Sequence, residues 1–182
     1  MSQDKRIRTA FERNAKALHL RPGIGRGTAV TTARRVEGLT FEVTEGDWKL
    51  TVDMGEKSGG NNRGPNPGVY GRGTLASCLA VSYGLWSAYR NVPLTRLDVE
   101  VQADYDSRGD LGVDDVPPGY EEIRYVVTVE SPEPEQRVRA LLDEADSHCA
   151  YLAIFRDPQT VRREVRVVGR GGGESTEAEA VQ

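Results

Sequence analysis

The spacing of apolar residues divides the N-terminal third of the chain into one helix and a set of strands. Residues 28–36 and 39–54 alternate between apolar and polar positions, as strands do, and Glu45-Gly46-Asp47 forms a turn inside the second segment. Apolar residues at helical spacing predict an amphipathic helix over residues 3–19, ended by Pro22: Ile7, Phe11, Ala15 and Leu18. The chain is therefore expected to begin with a helix that leads into antiparallel strands.

The next predicted element is a long central helix. A Gly/Asn-rich loop covers residues 55–65, after which Asn66 can cap a helix and Pro67 suits its first position. This helix is predicted to run to about Arg90. Small residues recur at intervals of three or four and form one narrow stripe on which another backbone can approach closely: Gly73, Ser77, Ala80, Gly84 and Ser87. The stripe predicts that the helix is buried.

The C-terminal half is predicted to hold two further strands, a second helix and a last strand. The strands are expected at 94–105 and 120–130, and the last strand at 161–168. A Ser-Pro-Glu-Pro segment at 131–134 opens the second helix. The apolar stripe of this helix consists of five residues: Val138, Leu142, Ala145, Cys149 and Leu152.

Taken together, these elements predict an α+β fold with mainly antiparallel sheets and two central helices, because the strands are not separated by regular crossover helices. Residues 1–27 are expected to form a basic N-terminal helix and arm, and residues 28–168 the main domain. The low-complexity segment 169–182 is expected to be a disordered tail.

Charge and hydropathy indicate which binding partners the protein is expected to have. No stretch approaches the roughly 18 apolar residues of a membrane helix, and no secretory signal layout is present, so a cytoplasmic protein is expected without membrane association. Residues 1–35 hold nine Lys and Arg against two acidic residues, although the whole chain has a net charge of −4. Such an arm can bind nucleic acid. Only Phe11 interleaves the basic residues for base stacking, so contact with an acidic protein surface is the favoured interpretation.

Metal and cofactor sites are not expected. His19 and His148 are the only histidines, and neither stands at a metal-ligand spacing from a cysteine pair. Residues 104–115 imitate a calcium loop, but Arg108 occupies a ligand position and a strand leads into the loop. An ordinary acidic loop is therefore favoured.

The two cysteines are the strongest candidates for chemistry. Cys78 and Cys149 are the only cysteines, and both lie on packing faces of the two main predicted helices. Buried cysteines often act only as small hydrophobic residues. If the two faces meet, however, the thiols come within disulfide-forming reach, as a peroxide-reacting thiol and its resolving partner require. The residues alone leave both interpretations open.

Two segments resemble the cysteine-helix signature of the OsmC/Ohr family, the osmotically inducible and organic-hydroperoxide-resistance proteins. They are residues 64–67 (GPNP) and 74–80 (TLASCLA). Residues 106–109 (DSRG) and the Gly119-Tyr120 pair that leads into a strand are also similar to that family. The resemblance covers roughly residues 28–168.

The resemblance implies an intertwined homodimer with active sites at the interface. It implies that Cys78 attacks an organic hydroperoxide and that Cys149 resolves the product as a disulfide, which a dithiol reductant reopens. An arginine from the early strands would favour the Cys78 thiolate, and the candidates are Arg34 and Arg35.

Two positions depart from the family pattern. The family's peroxidases carry a glutamate at the place of Gly68, where it helps to hold the activating arginine, and a proline at the place of Ala150. The retained cysteine pair favours a peroxidase. Gly68 favours an alternative, a family member without peroxidase activity that binds an apolar ligand and has structural, buried thiols.

Overall fold

The computed structural model describes residues 2–168 and 174–180. Helix α1 spans Gln3–Leu20 and begins where the Ser2 hydroxyl accepts a hydrogen bond from the Lys5 amide. A short 3₁₀ turn at Pro22–Gly25 follows it. No helix in the described ranges is long and apolar enough to cross a membrane.

Three antiparallel strands follow: β1 (Thr32–Glu37), β2 (Thr40–Glu45) and β3 (Trp48–Val52), in that order across the sheet. The turn between β2 and β3 lies at residues 46–47, where alternation placed it, and Gly46 has the positive φ of 54° that such turns favour. Apolar residues pair across the two strands, Phe41 with Val52 and Val43 with Leu50. The predicted alternation and turn of this hairpin are confirmed, and β1 starts four residues later than predicted.

Helix α2 spans Pro67–Arg90 and begins as the sequence predicts, since the Asn66 side chain accepts a hydrogen bond of 3.0 Å from the Val69 amide. The helix ends at Asn91, which has a left-handed φ of 55°. The most deeply buried apolar side chains of the helix form the centre of the core: Leu75, Leu79 and Tyr83.

Strands β4 (Arg96–Tyr105) and β5 (Tyr120–Glu130) form a long antiparallel pair against α2. The apolar residues of both strands alternate towards the core: Leu97, Val99, Val101, Ile123, Tyr125 and Val127. The loop between the strands contains a short helix that periodicity did not predict, α3 (Ser107–Leu111). The mixed elements and antiparallel sheets confirm the α+β prediction.

The second long helix is broken, which corrects the prediction of one continuous helix, although all five residues of its predicted apolar stripe pack in the core. Helix α4 spans Glu135–Ser147 and helix α5 spans Ala150–Arg156. At the break the His148 and Cys149 amides donate to carbonyls three residues back, at 3.1 and 3.2 Å, which closes the last turn of α4. Cys149 has extended backbone angles (φ −82°, ψ 110°) and precedes the first turn of α5.

The chain continues into a two-stranded antiparallel sheet of β6 (Arg162–Val168) and β7 (Glu174–Ala180). Strand β7 lies within the segment 169–182, for which composition predicts a disordered tail. A seven-residue ladder with β6 supplies backbone hydrogen bonds, and composition alone does not reveal such a partner. The remaining tail positions lie outside the described residues.

Helix α1 packs on the C-terminal half of α2. The Phe11 ring stacks on Tyr89 with centroids 4.3 Å apart and meets Trp86 edge-on at 5.4 Å. The Arg8 guanidinium donates to the Ala88 carbonyl at 2.8 Å and to Asn91 Oδ1 at 2.7 Å. Helix α1 thus lies on α2 of the same chain, and its Arg8 stands beside the exposed carbonyls of a helix end, where a cation is favourable.

Candidate functional site: a pair of thiols in contact

Cys78 and Cys149 meet between α2 and the α4–α5 break. The Cys149 thiol donates to Cys78 Sγ over 3.5 Å, and both cysteines are free. Cys78 lies in the middle of α2 and is half-buried, whereas Cys149 is buried with 3% of its surface exposed. Because a disulfide bond is about 2.05 Å long, a small shift joins the two sulfurs.

The surroundings of the Cys149 sulfur disfavour its thiolate form. Burial raises the pKa of the Cys149 thiol, and the contact with Cys78 acts in the same direction. The backbone amides of Leu152 and Tyr151, in the first turn of α5, oppose this effect without cancelling it. Cys149 therefore remains a protonated donor at neutral pH, and Cys78 is the sulfur that a solute can reach.

A carboxylate beside the helix break accepts hydrogen bonds from two other elements. The Tyr83 hydroxyl donates to Asp146 Oδ1 at 2.6 Å, and the Tyr125 hydroxyl donates to Asp146 Oδ2 at 2.8 Å. Burial, followed by the hydrogen bond to Asp146, raises the pKa of Tyr125 to about 12 and that of Tyr83 further still. Both phenols therefore stay protonated and keep donating. These bonds tie α2 and β5 to the end of α4, three residues before Cys149.

Sequence reasoning missed Asp146, although the chain contains a signal for it. Asp146 lies four residues after Leu142, so the predicted apolar stripe includes one carboxylate at helical spacing. A carboxylate on a packing face needs hydrogen-bond donors. Tyr83 and Tyr125 are the donors that the fold supplies.

Arg34 and Arg35 lie on β1, in the exposed three-stranded sheet. The Arg35 guanidinium lies over the Phe41 ring, 5.7 Å from its centroid. Among the described residues, no hydrogen bond or ion pair joins either arginine to Cys78 or Cys149. Their role in activating Cys78 stays a prediction.

Residue 68 faces a different arginine. A Cβ atom at Gly68 would lie 3.1 Å from Arg72 Nη1 and 3.3 Å from Asn66 Oδ1. Arg72 Nη1 itself donates to the Tyr120 hydroxyl at 3.2 Å. A carboxylate at position 68 would therefore meet Arg72, one helical turn later, before it met an arginine of β1. Positions 68 and 72 are four residues apart and so share one face of the helix. This spacing is the feature of the sequence that could have pointed to Arg72 as the neighbour of residue 68.

Two carboxylates of the calcium-like loop, those of Asp106 and Asp114, are engaged by Arg108. Asp106 accepts hydrogen bonds from the Arg108 amide and guanidinium, and Arg108 also pairs with Asp114 at 3.3 Å. Across residues 2–168 and 174–180, no group of three His, Cys, Asp or Glu residues is placed to hold a metal ion.

The fold and the site together define a dithiol protein of the α+β class, with two free cysteines in contact between its main helices. Residues 59–164 match the family model described as OsmC-like protein. Since the match covers more than half of the chain, the chain belongs to the OsmC-like protein family.

Solved structures agree with this family at the level of fold. An OsmC-like protein from Mycoplasma pneumoniae superposes with a TM-score of 0.62 at 17% identity, covering 71% of this chain and 88% of that one. An organic hydroperoxide resistance protein from Legionella pneumophila gives a TM-score of 0.52 at 17% identity, covering 71% and 90%. At these identities the likeness shows the fold alone. No curated protein matches the sequence.

Proposed function

We propose that the protein is a thiol-dependent peroxidase that reduces organic hydroperoxides in defence against oxidative stress, with Cys78 as nucleophile and Cys149 as resolving thiol. The observation that carries the proposal is the 3.5 Å contact between the two sulfurs. Membership of the OsmC-like family supports a redox stress role, as does the name of the Legionella pneumophila relative, an organic hydroperoxide resistance protein.

In the first step the Cys78 thiolate attacks the terminal oxygen of the hydroperoxide. An S–O bond forms while the O–O bond breaks, and the departing alkoxide takes up a proton and leaves as an alcohol. Cys78 becomes a sulfenic acid. Exposure supports this assignment, because Cys78 is half-buried and Cys149 is buried.

In the second step the Cys149 sulfur attacks the Cys78 sulfenic acid. The S–S bond forms, the S–O bond breaks, and the hydroxyl group leaves with the Cys149 proton as water. A dithiol reductant then restores both thiols by exchange and leaves as its own disulfide. The short distance between the sulfurs supports rapid disulfide formation, which protects Cys78 from further oxidation.

We also propose that the working unit is a homodimer. Several large apolar side chains stay exposed on one copy, including Trp48 at 78% on β3 and Val81 at 62% on α2. A second copy would cover such surfaces. In this arrangement Arg34 or Arg35 would approach Cys78 across the interface between the two copies.

One observation favours a second candidate, a family member that binds an apolar ligand and uses its thiols only for packing. Gly68 provides no carboxylate to hold an activating arginine, and residue 68 faces Arg72. Under this alternative the thiols react slowly with every peroxide, because a thiol without a stabilising cation is mostly protonated at neutral pH.

Peroxide consumption by the purified protein separates the two candidates. We expect consumption of cumene hydroperoxide with a dithiol such as dihydrolipoamide, and slower consumption of hydrogen peroxide. Cys78→Ser should abolish the activity, while Ser77→Ala, the matched change at the neighbouring exposed position, should retain it. No consumption by the native protein would favour the apolar-ligand candidate.

A further inference from the structure

A cavity of about 530 Å³ lies at the start of α2, away from the two sulfurs. Gly68, Arg72 and Tyr120 form its polar side. Helix rise places Arg72 roughly 9 Å along the axis from Cys78, since six residues separate them at about 1.5 Å each. The cavity is within the usual size range of small-molecule sites.

Arg72 is unusual in its surroundings. It is half-buried, and across the described ranges its guanidinium forms no ion pair and has one hydrogen-bond partner, the Tyr120 hydroxyl at 3.2 Å. Arg90, near the other end of the same helix, instead pairs with Glu144. A half-buried cation with unused donors favours the approach of an anion, because a guanidinium binds a planar carboxylate through two parallel hydrogen bonds.

Tyr120 adds a second donor to the same place. Its oxygen accepts the bond from Arg72 Nη1, so its own hydroxyl proton remains available to a ligand. The absence of a side chain at Gly68 keeps the guanidinium open, since a Cβ atom there would lie 3.1 Å from Nη1. Glycine at this position therefore does more than remove a carboxylate that could hold an arginine. It also leaves the Arg72 guanidinium open to a ligand.

The other residues that line the cavity restrict which anions can bind there. Met54, Pro67 and Tyr105 contribute apolar surface, which suits an aromatic or branched body. Asp110 also lines the cavity, so one negative charge is already present beside the single arginine. A second negative charge on the ligand would be repelled, which favours a monoanion over a dianion.

From these contacts we infer that the cavity binds a small aromatic or branched monocarboxylate. The carboxylate pairs with Arg72 and accepts a hydrogen bond from Tyr120, while the organic body contacts Met54 and Pro67. This site does not depend on the thiol chemistry, so it can be tested on the reduced protein without peroxide, and its failure would leave the peroxidase proposal untouched.

Benzoate is a suitable probe, titrated into the full chain and followed by NMR shifts or calorimetry. A ligand of this size is expected to bind with a Kd on the order of 1 mM. Benzyl alcohol, which lacks the charge, should bind at least roughly tenfold more weakly. Phthalate and inorganic phosphate should also bind more weakly than benzoate. Phosphate binding as tight as benzoate binding would overturn the monocarboxylate assignment.

Variants at two positions give a sharper test. Arg72→Gln should weaken benzoate binding by roughly tenfold to a hundredfold, as loss of a charge-assisted pair does. Gly68→Glu should weaken benzoate binding as well, because the new carboxylate pairs with Arg72 from one turn away. Arg90→Gln, on the same helix, is the matched control and should bind as the native protein does. Unchanged binding in Arg72→Gln, or none in the native protein at roughly 20 mM benzoate, would overturn the inference.

Discussion

Cys78 and Cys149 are in contact but differ in exposure, and that difference predicts different reactivities. In Cys149→Ser, cumene hydroperoxide should leave Cys78 as a sulfenic acid that dimedone traps, because no resolving thiol remains. In Cys78→Ser, Cys149 should react with the hydroperoxide at least roughly tenfold more slowly than Cys78 does in Cys149→Ser. Burial raises the pKa of Cys149 and so lowers its thiolate fraction. Mass spectrometry of the trapped products measures both rates. Equal rates would contradict the assigned roles.

Asp53 is a second residue whose setting gives a prediction, here about acid stability. Burial alone would raise its pKa, but hydrogen bonds from the Arg63 amide, the Thr40 hydroxyl and the Met54 and Asn61 amides hold it below its usual 3.8. A carboxyl with a depressed pKa in the folded state stabilises the fold above its unfolded pKa, and this contribution is lost as pH falls through the folded value.

We therefore expect the denaturant midpoint of the native protein to fall as the pH drops below about 4, and Asp53→Asn to flatten this dependence while lowering stability at neutral pH. Urea titrations between neutral pH and about pH 3 measure it. Asp143→Asn, at an exposed carboxylate, is the control. If Asp143→Asn flattened the pH dependence of the urea midpoint as much as Asp53→Asn does, Asp53 would not be the cause of the acid sensitivity.

At the residue level the cysteines were predictable, because thiols are rare and both stand on apolar stripes that packing brings together, whereas the extended backbone of Cys149 was not predicted. Asp146 and Arg72 were not found, since their partners Tyr83, Tyr125 and Tyr120 come from distant parts of the sequence. Contacts of this kind depend on the packing of α2 against β5, which periodicity does not give.

Among the elements, the break between α4 and α5 matters most to the site. Alternation and helical spacing predicted the β2–β3 hairpin, β4, β5 and the start of α2, since each has a local signal in capping or period. The break has none, because it depends on two turn-type hydrogen bonds at residues 148–149 and on packing against Tyr83 and Tyr125.

Tyr125→Phe tests whether the Asp146 hydrogen bonds hold this break. Removing a hydrogen bond to a carboxylate should lower the free energy of unfolding by about 1.5–3 kcal/mol. It should also slow disulfide formation between Cys78 and Cys149, because the end of α4 is held less firmly. Urea unfolding and the rate of thiol loss after oxidation are the measurements. Tyr105→Phe, at an exposed tyrosine, is the control, and a stability loss without any change in disulfide rate would limit Tyr125 to a structural role.

For the molecule as a whole, the apolar surface of one copy predicts self-association. Trp48 and Leu50 are 78% and 47% exposed on β3, and Val81 is 62% exposed on α2. Light scattering should give twice the chain mass of 20.0 kDa at micromolar concentration. Trp48→Glu should shift the population towards monomers, since a charge on an apolar contact opposes its burial. A folded native monomer under these conditions would rule out the homodimer.

The central claim is that Cys78 and Cys149 act together on an organic hydroperoxide, and a single turnover tests it most directly. Reduced native protein is mixed with one equivalent of cumene hydroperoxide without any reductant, and the intact mass and free thiols are then measured. We predict the loss of two hydrogens, disappearance of both thiols, a Cys78–Cys149 disulfide in the digest, and one equivalent of the alcohol. Unconsumed hydroperoxide with both thiols still free would contradict the account.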